Sequence, residues 1–320
     1  MRVKHFTILS ILIAGVFLFS FKKTKQLKST KNLLKTEYLV VFVMDGPRYT
    51  ETFGDTSYQY IPNMGKKLKK EGVLYTEFFN NGVTHTNPGH TAITTGVYQK
   101  LKNNGTQLPK NPSFFQYYLK EKKADKNTCW IISSKGKLHV LANTKNSEWN
   151  NQYTPNKFCG PDGNDKDYVG DAYTNEKINE IYFKNHPKLC LINMLGVDVN
   201  GHEKNWEGYK RCLKEIDQYI YQFWQKIQQD PILKNKTALW ITNDHGRHLD
   251  GHKDGFISHG DKCLGCRKIS LLALGPDHSK GKIITKEREL IDISKTISVL
   301  FQFSMPTSKG KFMEELFSTN

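Results

Sequence analysis

The 320-residue chain lacks the motifs of several protein classes. It has no zinc-finger spacing, no RNP-type motif and no basic amphipathic helix, so nothing beyond its formal net charge of +16 suggests nucleic-acid binding. Its lysines are spread along the chain. Such charge favours anionic ligands, but a solvated surface rich in lysine and asparagine is the simpler explanation. With no internal repeat, no low-complexity segment and an apolar fraction of 38%, the chain is predicted to be folded and globular.

The N-terminal apolar run, residues 6–21, is short for a membrane-spanning helix, which needs about 20 residues. It follows a short basic segment, which is the shape of a signal peptide. No Ala-x-Ala cleavage site and no lipobox cysteine accompany it, so an uncleaved anchor stays open. We predict a signal peptide or anchor over residues 1–21, a tether over 22–36 and a globular domain over 37–320. The domain is expected to be exported: periplasmic, secreted, or anchored at the outer face of a membrane.

Cysteine is scarce, with six residues in the whole chain. In an exported protein these cysteines are able to form disulfides, but the sequence does not give their connectivity. Cys263 and Cys266 form one Cys-x-x-Cys, half of a zinc knuckle, with no second pair to complete it. We interpret them as a local disulfide or as two free thiols. Cys190 lies in an apolar run and is predicted to be a small buried hydrophobe.

Apolar runs typical of buried strands alternate with helical patterns along the chain. Strand, helix, strand in this order predicts a three-layer α/β/α sandwich on a mostly parallel central sheet, formed as one domain. The region of about residues 137–167 has no clear period and is predicted to be an excursion that covers the site. Strands are predicted at 38–44, 73–79, 128–133, 189–195, 238–242 and 269–274, and helices at 62–71, 86–95, 113–122, 172–185, 206–229 and 291–303, with a short tail helix near 312–317.

Three predicted strands are each followed by an acidic residue, namely Asp45, Asp198 and Asp244. Taken singly, each is typical of an ordinary turn. In an open α/β sheet, however, ligands bind in the crevice beyond the carboxyl ends of the strands. The repeated placement therefore predicts that these three carboxylates lie at one edge of the sheet.

Three histidines, His202, His245 and His259, lie in the same predicted loops. Clustered carboxylates repel one another and would have raised pKa values unless cations neutralise them. Carboxylates and imidazoles in equal numbers suit zinc, although other divalent metals are possible. Six ligands are too many for one tetrahedral ion, so the pattern predicts two ions that share a site.

Thr86 precedes Asn87-Pro88, at the predicted start of a helix that ends near Thr95. Thr86 or Asn87 is expected to cap this helix. A hydroxyl in that place is either an ordinary cap or a nucleophile, since the helix N-terminus stabilises an incoming anion. The residues alone leave both uses open.

Five short motifs occur in an order that resembles the alkaline phosphatase superfamily. The closest resemblance is to the nucleotide pyrophosphatase/phosphodiesterase branch and the related phosphonoacetate hydrolases, and it spans about residues 38–303. The motifs are Asp45-Gly46, Thr86-Asn87-Pro88, Asp198-x-x-x-His202, Asp244-His245-Gly246 and His259-Gly260.

The resemblance implies a ligand set and a mechanism. One zinc ion would be held by Asp198, His202 and His259, and the other by Asp45, Asp244, His245 and the hydroxyl of Thr86. Thr86 would attack phosphorus and form a covalent phospho-threonine, which water would then hydrolyse. The family also binds a phosphoryl oxygen with an asparagine, for which Asn104 or Asn103 is the candidate, with Asn104 preferred.

The same motifs bear on the substrate. Sulfatases of the superfamily have Cys/Ser-x-Pro-x-Arg, where this chain has Thr86-x-Pro88-x-His90. Because threonine is not converted to formylglycine, the resemblance favours a small-molecule phosphate ester over a sulfate ester. Basic residues at 247, 248, 252, 253 and 267 either bind further negative charge or are solvated, and we favour the second interpretation.

We predict a two-zinc phosphodiesterase or nucleotide pyrophosphatase. A phosphomonoesterase, a phosphonate hydrolase or a sulfatase-like hydrolase on the same metal core is the nearest alternative. A non-catalytic anion-binding surface protein is the alternative of another class.

Overall fold

A computed structural model describes residues 34–318. The described residues from Thr36 onward form one compact unit. The predicted signal peptide or anchor, and the tether up to residue 33, lie outside the described residues. Among the residues that are described, no helix is long and apolar enough to cross a membrane.

Nine strands in the described part of the chain form one sheet. The strands are β1 Tyr38–Met44, β2 Gly72–Phe79, β3 Cys129–Ser133, β4 Asn156–Cys159, β5 Leu189–Met194, β6 Thr237–Asn243, β7 Lys268–Leu274, β8 Lys282–Ile284 and β9 Arg288–Glu289. Their order in the sheet is β4-β3-β5-β1-β6-β7-β2-β8, with β9 also paired to β2. Strands β4, β3, β5, β1 and β6 are all parallel. Of the described strands, only β7 is antiparallel to its two neighbours, β6 and β2, so the predicted mostly parallel sheet is confirmed.

Helices cover both faces of the sheet, as the predicted three-layer sandwich requires. Side chains of β1 alternate between the two layers: Leu39 packs in one hydrophobic cluster and Val40 in the other. Burial on both faces explains why β1 is a continuous apolar run. The helices are α1 Pro62–Lys66, α2 Thr86–Thr95, α3 Phe114–Lys122, α4 Asp171–Asn185, α5 Gly196–His202, α6 Trp206–Gln229, α7 Leu264–Arg267 and α8 Leu290–Leu300. Helices α2, α3 and α8 cover the Leu39 face, and α1, α4 and α6 the Val40 face.

Some predicted boundaries are wrong. The helix predicted over 62–71 ends at Lys66 and continues as a 3-10 turn, Leu68–Lys70. Gly72, which lies between that helix and the strand predicted over 73–79, already pairs in β2. The predicted tail helix is a 3-10 turn, Glu314–Leu316. Strand β4, within 137–167, was not predicted. Only one of its four side chains, that of Cys159, is fully buried, so the strand has no apolar pattern in the sequence.

Candidate active site

The carboxyl ends of three neighbouring parallel strands meet at one edge of the sheet. Met44 of β1 is in register with Met194 of β5 and with Asn243 of β6. Asp45 and Asp244 therefore leave adjacent strands at the same level. The chain after β5 turns into α5, which the sequence did not predict as a helix. This is the crevice in which α/β sheets bind ligands.

Helix α5 places two of the predicted ligands on one face. Asp198 and His202 are four residues apart on it, and His202 Nε2 lies 3.4 Å from Asp198 Oδ1. His259 Nε2 lies 3.4 Å from the same oxygen and 3.1 Å from His202 Nε2. His259 Nδ1 lies 2.7 Å from the carbonyl of Thr84, which only accepts, so a neutral His259 presents an unprotonated Nε2 to this group.

Asp45, Asp244 and His245 form the second group and are completely buried. His245 Nδ1 is 2.9 Å from the carbonyl of Gly246, so in the neutral ring Nε2 is unprotonated. That Nε2 lies 3.3 Å from Asp244 Oδ2 and 3.7 Å from Asp45 Oδ1. Burial lowers the pKa of His245 well below its ordinary value. Burial and the neighbouring Asp244 raise the pKa of Asp45, because its negative charge is poorly compensated.

The six predicted ligands thus come together, and we call them the strand-edge cluster. Three of their buried atoms, Asp45 Oδ1, Asp244 Oδ2 and His245 Nε2, have no hydrogen-bond partner. Buried polar atoms are rarely left without one. Ligand atoms of Asp198, His202 and His259 lie within 4.8 Å of one another, as do those of Asp45, Asp198 and His245. Unpartnered oxygen and nitrogen atoms at this spacing fit divalent metal ions, and the donor set suits zinc.

His90 is a neighbour of the cluster that sequence reasoning treated only as a replacement for arginine. Its Nδ1 lies 2.9 Å from the carbonyl of Thr86 and 3.3 Å from Asp244 Oδ2. Asn193 Nδ2 lies 3.1 Å from His90 Nε2 and donates to Asp45 Oδ2 at 3.0 Å. Since Thr86 offers only a carbonyl, Nδ1 carries the proton. His90 Nδ1 therefore donates to the Thr86 carbonyl and faces Asp244 Oδ2 without a hydrogen bond to it, and Asn193 orients both Asp45 and His90.

Thr86 is the first residue of α2, and His85 occupies the N-cap position that was predicted for Thr86 or Asn87. His85 makes no side-chain cap, and Thr86 lies past the N-cap position, so its hydroxyl does not have the role of an N-cap. Its Oγ1 lies 3.3 Å from Nζ of Lys135. The hydroxyl is thus at a helix N-terminus, where the helix dipole stabilises negative charge.

Lys135 is a fully buried cation that the sequence did not single out. Its Nζ lies 2.6 Å from Asp198 Oδ2 and 2.9 Å from Asp45 Oδ1, although the second contact lacks hydrogen-bond geometry. Burial alone would lower the pKa of Lys135, but Asp198, Asp45 and Asp244 together raise it above its ordinary value. Conversely, burial would raise the pKa of Asp198, but the cations Lys135 and Arg247 outweigh it and hold this pKa well below the usual range.

Arg247 is the second buried cation. Its Nη1 donates to Asp198 Oδ1, and its other nitrogens donate to the carbonyls of Phe256 and Ile257. Arg247 is completely buried and His248 is 2% exposed, so the interpretation of these two residues as solvated is wrong. The guanidinium instead ties the segment of residues 256–257 to helix α5.

A cavity of about 340 Å³ opens over Thr86, Asp198, His202 and His259. A larger one of about 660 Å³ adjoins it, and Asn103, Lys137 and Tyr168 line both. Burial and the neighbouring Lys135 lower the pKa of Lys137 to about 8. Lys137 and Tyr168 border the 137–167 excursion, which therefore contributes to the wall of the site.

Asn103 and Asn104 are placed differently. Asn103 lines the cavity over Thr86, and its Oδ1 accepts from the backbone N–H of Asn87 at 2.9 Å. Asn104 lines only the outer cavity, and its Oδ1 accepts from Thr106. The placement favours Asn103 over the predicted Asn104 as the ligand of a phosphoryl oxygen.

Residues 39–249 match the sequence model of the type I phosphodiesterase/nucleotide pyrophosphatase family. This span is more than half of the chain and contains Asp45, Thr86, Asp198, His202 and the Asp244-His245 pair. The chain belongs to this family. The family takes its name from phosphodiesterases and nucleotide pyrophosphatases, which are enzymes that hydrolyse phosphoric esters.

Individual relatives are distant. Human and mouse GPI ethanolamine phosphate transferase 1 are 24% and 26% identical to the chain over 229 and 238 residues. Each match covers 65% of this chain and 24% of the transferase, so the chain spans about a quarter of the length of these relatives.

Solved structures share the fold. An alkaline phosphatase superfamily protein from Vibrio parahaemolyticus has a TM-score of 0.61 at 16% identity, covering 86% of this chain and 69% of that one. The phosphonate monoester hydrolase of Silicibacter pomeroyi has a TM-score of 0.62 at 12% identity, and the match covers 88% of this chain and 76% of the hydrolase. Murine ectonucleotide pyrophosphatase/phosphodiesterase 5 has a TM-score of 0.61 at 14% identity, and the match covers 88% of this chain and 100% of the murine chain. The alkaline-phosphatase-like fold predicted from the sequence is confirmed.

Proposed function

We propose that this family member is a two-zinc phosphodiesterase that acts through a covalent phospho-threonine at Thr86. The observation that carries the proposal is the placement of a buried hydroxyl, free of any capping role, beside the strand-edge cluster. Asp198, His202 and His259 would hold one ion, and Asp45, Asp244 and His245 the other. When bound, such ions lower the pKa of a hydroxyl and neutralise charge on phosphoryl oxygens.

The residues of the chain divide the remaining work. Thr86 Oγ1 would lose its proton to water and form the bond to phosphorus, while the bond to the leaving oxygen breaks and that oxygen takes up a proton from water. A further water would later cleave the phospho-threonine and restore the hydroxyl. Lys135, held protonated by the carboxylates, would stabilise the threonine oxygen as it becomes negative, but it would not act as the base. The N-terminus of α2 would stabilise the same charge.

The cavity supports a diester substrate. The space over Thr86 continues, past Asn103, Lys137 and Tyr168, into the larger outer cavity. A monoester needs room for one substituent on phosphorus, whereas a diester needs room for two, and the outer cavity offers the second. Lys137 would bind negative charge on the substrate, and this role weakens as the lysine deprotonates above its pKa of about 8.

Phosphomonoester, phosphonate and sulfate ester hydrolysis stay alternatives, because the strand-edge cluster would serve each of them. The likeness to ethanolamine phosphate transferases makes phosphoryl transfer a further alternative. In that reaction an alcohol, in place of water, would cleave the phospho-threonine. We also propose that the enzyme is exported, on the strength of its N-terminal sequence.

Two chromogenic esters test the function. The full-length protein, supplied with zinc, is expected to hydrolyse bis-p-nitrophenyl phosphate in preference to p-nitrophenyl phosphate, and a chelator or Asp244→Asn should abolish both reactions. Preference for the monoester would move the function to phosphatase. No turnover of either ester, or turnover untouched by Asp244→Asn, would contradict the proposal. Adding glycerol and analysing the products would distinguish a transferase from a hydrolase.

A further inference from the structure

A second group of metal-ligating side chains lies outside the strand-edge cluster. It consists of His248, Asp261, Cys263 and Cys266, and we call it the loop cluster. Each of these residues offers one ligand atom, and the four atoms all lie within 4.8 Å of one another. None of the four belongs to the strand-edge cluster. The lone Cys-x-x-Cys of the sequence is thus completed in space by an imidazole and a carboxylate.

His248 is prepared as a ligand by its neighbours. It is 2% exposed, and its Nδ1 lies 2.9 Å from Oδ1 of Asp254, which also accepts from Ser258 Oγ at 2.7 Å. Because a carboxylate only accepts, Nδ1 carries a proton. Nε2 is buried, lacks a hydrogen-bond partner and lies 3.3 Å from Asp261 Oδ2. A carboxylate on one ring nitrogen and an open position at the other is the arrangement of metal-binding histidines.

The two cysteines are held on the same side by a close approach of the backbone. Gly246 N–H donates to the Cys266 carbonyl at 2.8 Å, and a Cβ on Gly265 would lie 2.4 Å from the Arg247 carbonyl. Only glycine fits between the cysteines at that distance. The Cys-Leu-Gly-Cys turn is thereby fixed directly beside the chain segment that carries His248.

Asp261 completes the loop cluster. Its Oδ1 accepts from the backbone N–H of Cys263 at 2.9 Å. Its Oδ2 faces His248 and also lies 3.0 Å from His252 Nε2 and 2.7 Å from Lys253 Nζ. Two thiolates and one carboxylate carry three negative charges, which one divalent ion and the Lys253 ammonium would together balance.

We propose that His248, Asp261, Cys263 and Cys266 bind one zinc ion in a closed, structural site. Thiolate and imidazole ligands select zinc, and four protein ligands leave no open position for catalysis. The ion would tie residue 248 to residues 261–266, with release of the two thiol protons. This inference does not depend on the proposed function.

The position of this ion in the fold gives it a role. Residues 244–263 connect β6 to α7 with a single 3-10 turn, Gly255–Ile257, as regular structure, and they carry both His245 and His259. The hydroxyl of Thr84 donates to the backbone carbonyl of Asp261 at 2.7 Å, and the backbone carbonyl of the same threonine contacts His259. An ion in the loop cluster would therefore hold His259 in place from outside the strand-edge cluster.

Cobalt substitution tests the proposal without measuring activity. The described strand-edge cluster has only carboxylates and imidazoles, so a thiolate-to-cobalt charge-transfer absorption would report the loop cluster alone. The reduced, metal-stripped full-length protein is expected to develop this absorption with cobalt. Cys263→Ser/Cys266→Ser should lose it and bind one zinc fewer per chain. Asp244→Asn, in the strand-edge cluster, and Cys190→Ala, a buried cysteine in β5, should retain it.

Two results would overturn the proposal. The first is a wild-type protein without the charge-transfer absorption, in which His248 would keep only its contacts with Asp254 and Asp261. The second is a Cys263–Cys266 disulfide, found by mass spectrometry of the protein isolated without reductant. Should the double variant not fold, alkylation of the wild-type protein decides: zinc is expected to protect the half-exposed Cys263, and unchanged labelling would contradict the site.

Discussion

The ammonium group of Lys135 lies 2.6 Å from Oδ2 of Asp198, inside a cluster of carboxylates that the sequence assigned to metal ions alone. The lysine also approaches Asp45 and Thr86. A permanent cation at this position lets the carboxylates be buried together before any metal binds. It also places positive charge beside the proposed nucleophile, so Lys135 would link the stability of the metal-free protein to the proposed catalysis.

Replacing Lys135 by methionine separates these two effects. Without the ammonium group, Asp45 and Asp198 lose a buried partner, and removing one member of a buried ion pair costs about 3–5 kcal/mol. We expect the metal-free variant to be destabilised by an amount of this order and the zinc-saturated variant by clearly less. The rate of ester hydrolysis should fall on the order of 10²-fold.

Urea unfolding of the Lys135→Met variant, with zinc and with chelator, provides the stability measurement. Lys100→Met changes an exposed lysine and is the control for charge. Equal destabilisation in both metal states, with full activity, would argue against the role given to Lys135.

The two neighbouring asparagines make a matched pair. Asn103→Ala should lower kcat/KM by roughly 10- to 100-fold, because a hydrogen bond to a charged group contributes about 1.5–3 kcal/mol. Asn104→Ala should leave kcat/KM unchanged, since Asn104 contacts Thr106 and lies away from Thr86. Steady-state kinetics on one ester compares them. The reverse ranking would restore Asn104 as the phosphoryl ligand.

His278 gives the fold a dependence on pH that is separate from the active site. Trp240 Nε1 donates to its Nε2 at 2.8 Å, and burial lowers the pKa of His278 to about 4. In the unfolded chain the ordinary pKa is 6.5. The folded state therefore binds its proton only at lower pH, and stability that is fully present above pH 6.5 is lost as the pH falls towards 4, by about 3 kcal/mol.

His278→Gln keeps an acceptor for Trp240 but does not titrate. In chelator, the free energy of unfolding of this variant should fall less between pH 6.5 and 4 than that of the wild type. Identical slopes for the two proteins would exclude His278 as the source of the acid sensitivity.

The sequence predicted some parts of the molecule well because they depend on local patterns. Asp45 and Asp244 follow apolar runs whose burial on both faces is readable from composition, so their common edge follows from parallel pairing alone. The burial of Lys135, Arg247 and His248 was not predicted, because charged residues are mostly exposed in folded proteins. Their burial depends on partners distant in sequence, such as Asp198. The loop cluster could not be predicted for the same reason. The sequence shows only the two cysteines as a pair, and the fold is what brings His248 and Asp261 close to them.

The proposed phospho-threonine makes the central claim directly testable. The full-length protein with zinc is mixed with bis-p-nitrophenyl phosphate, quenched in acid during turnover and digested for mass spectrometry. We predict a phosphoryl or nitrophenyl-phosphoryl group on Thr86, absent from Thr86→Ala, which should lose on the order of 10³-fold or more in activity. Sustained hydrolysis with no modification of Thr86, or full activity of Thr86→Ala, would contradict the account.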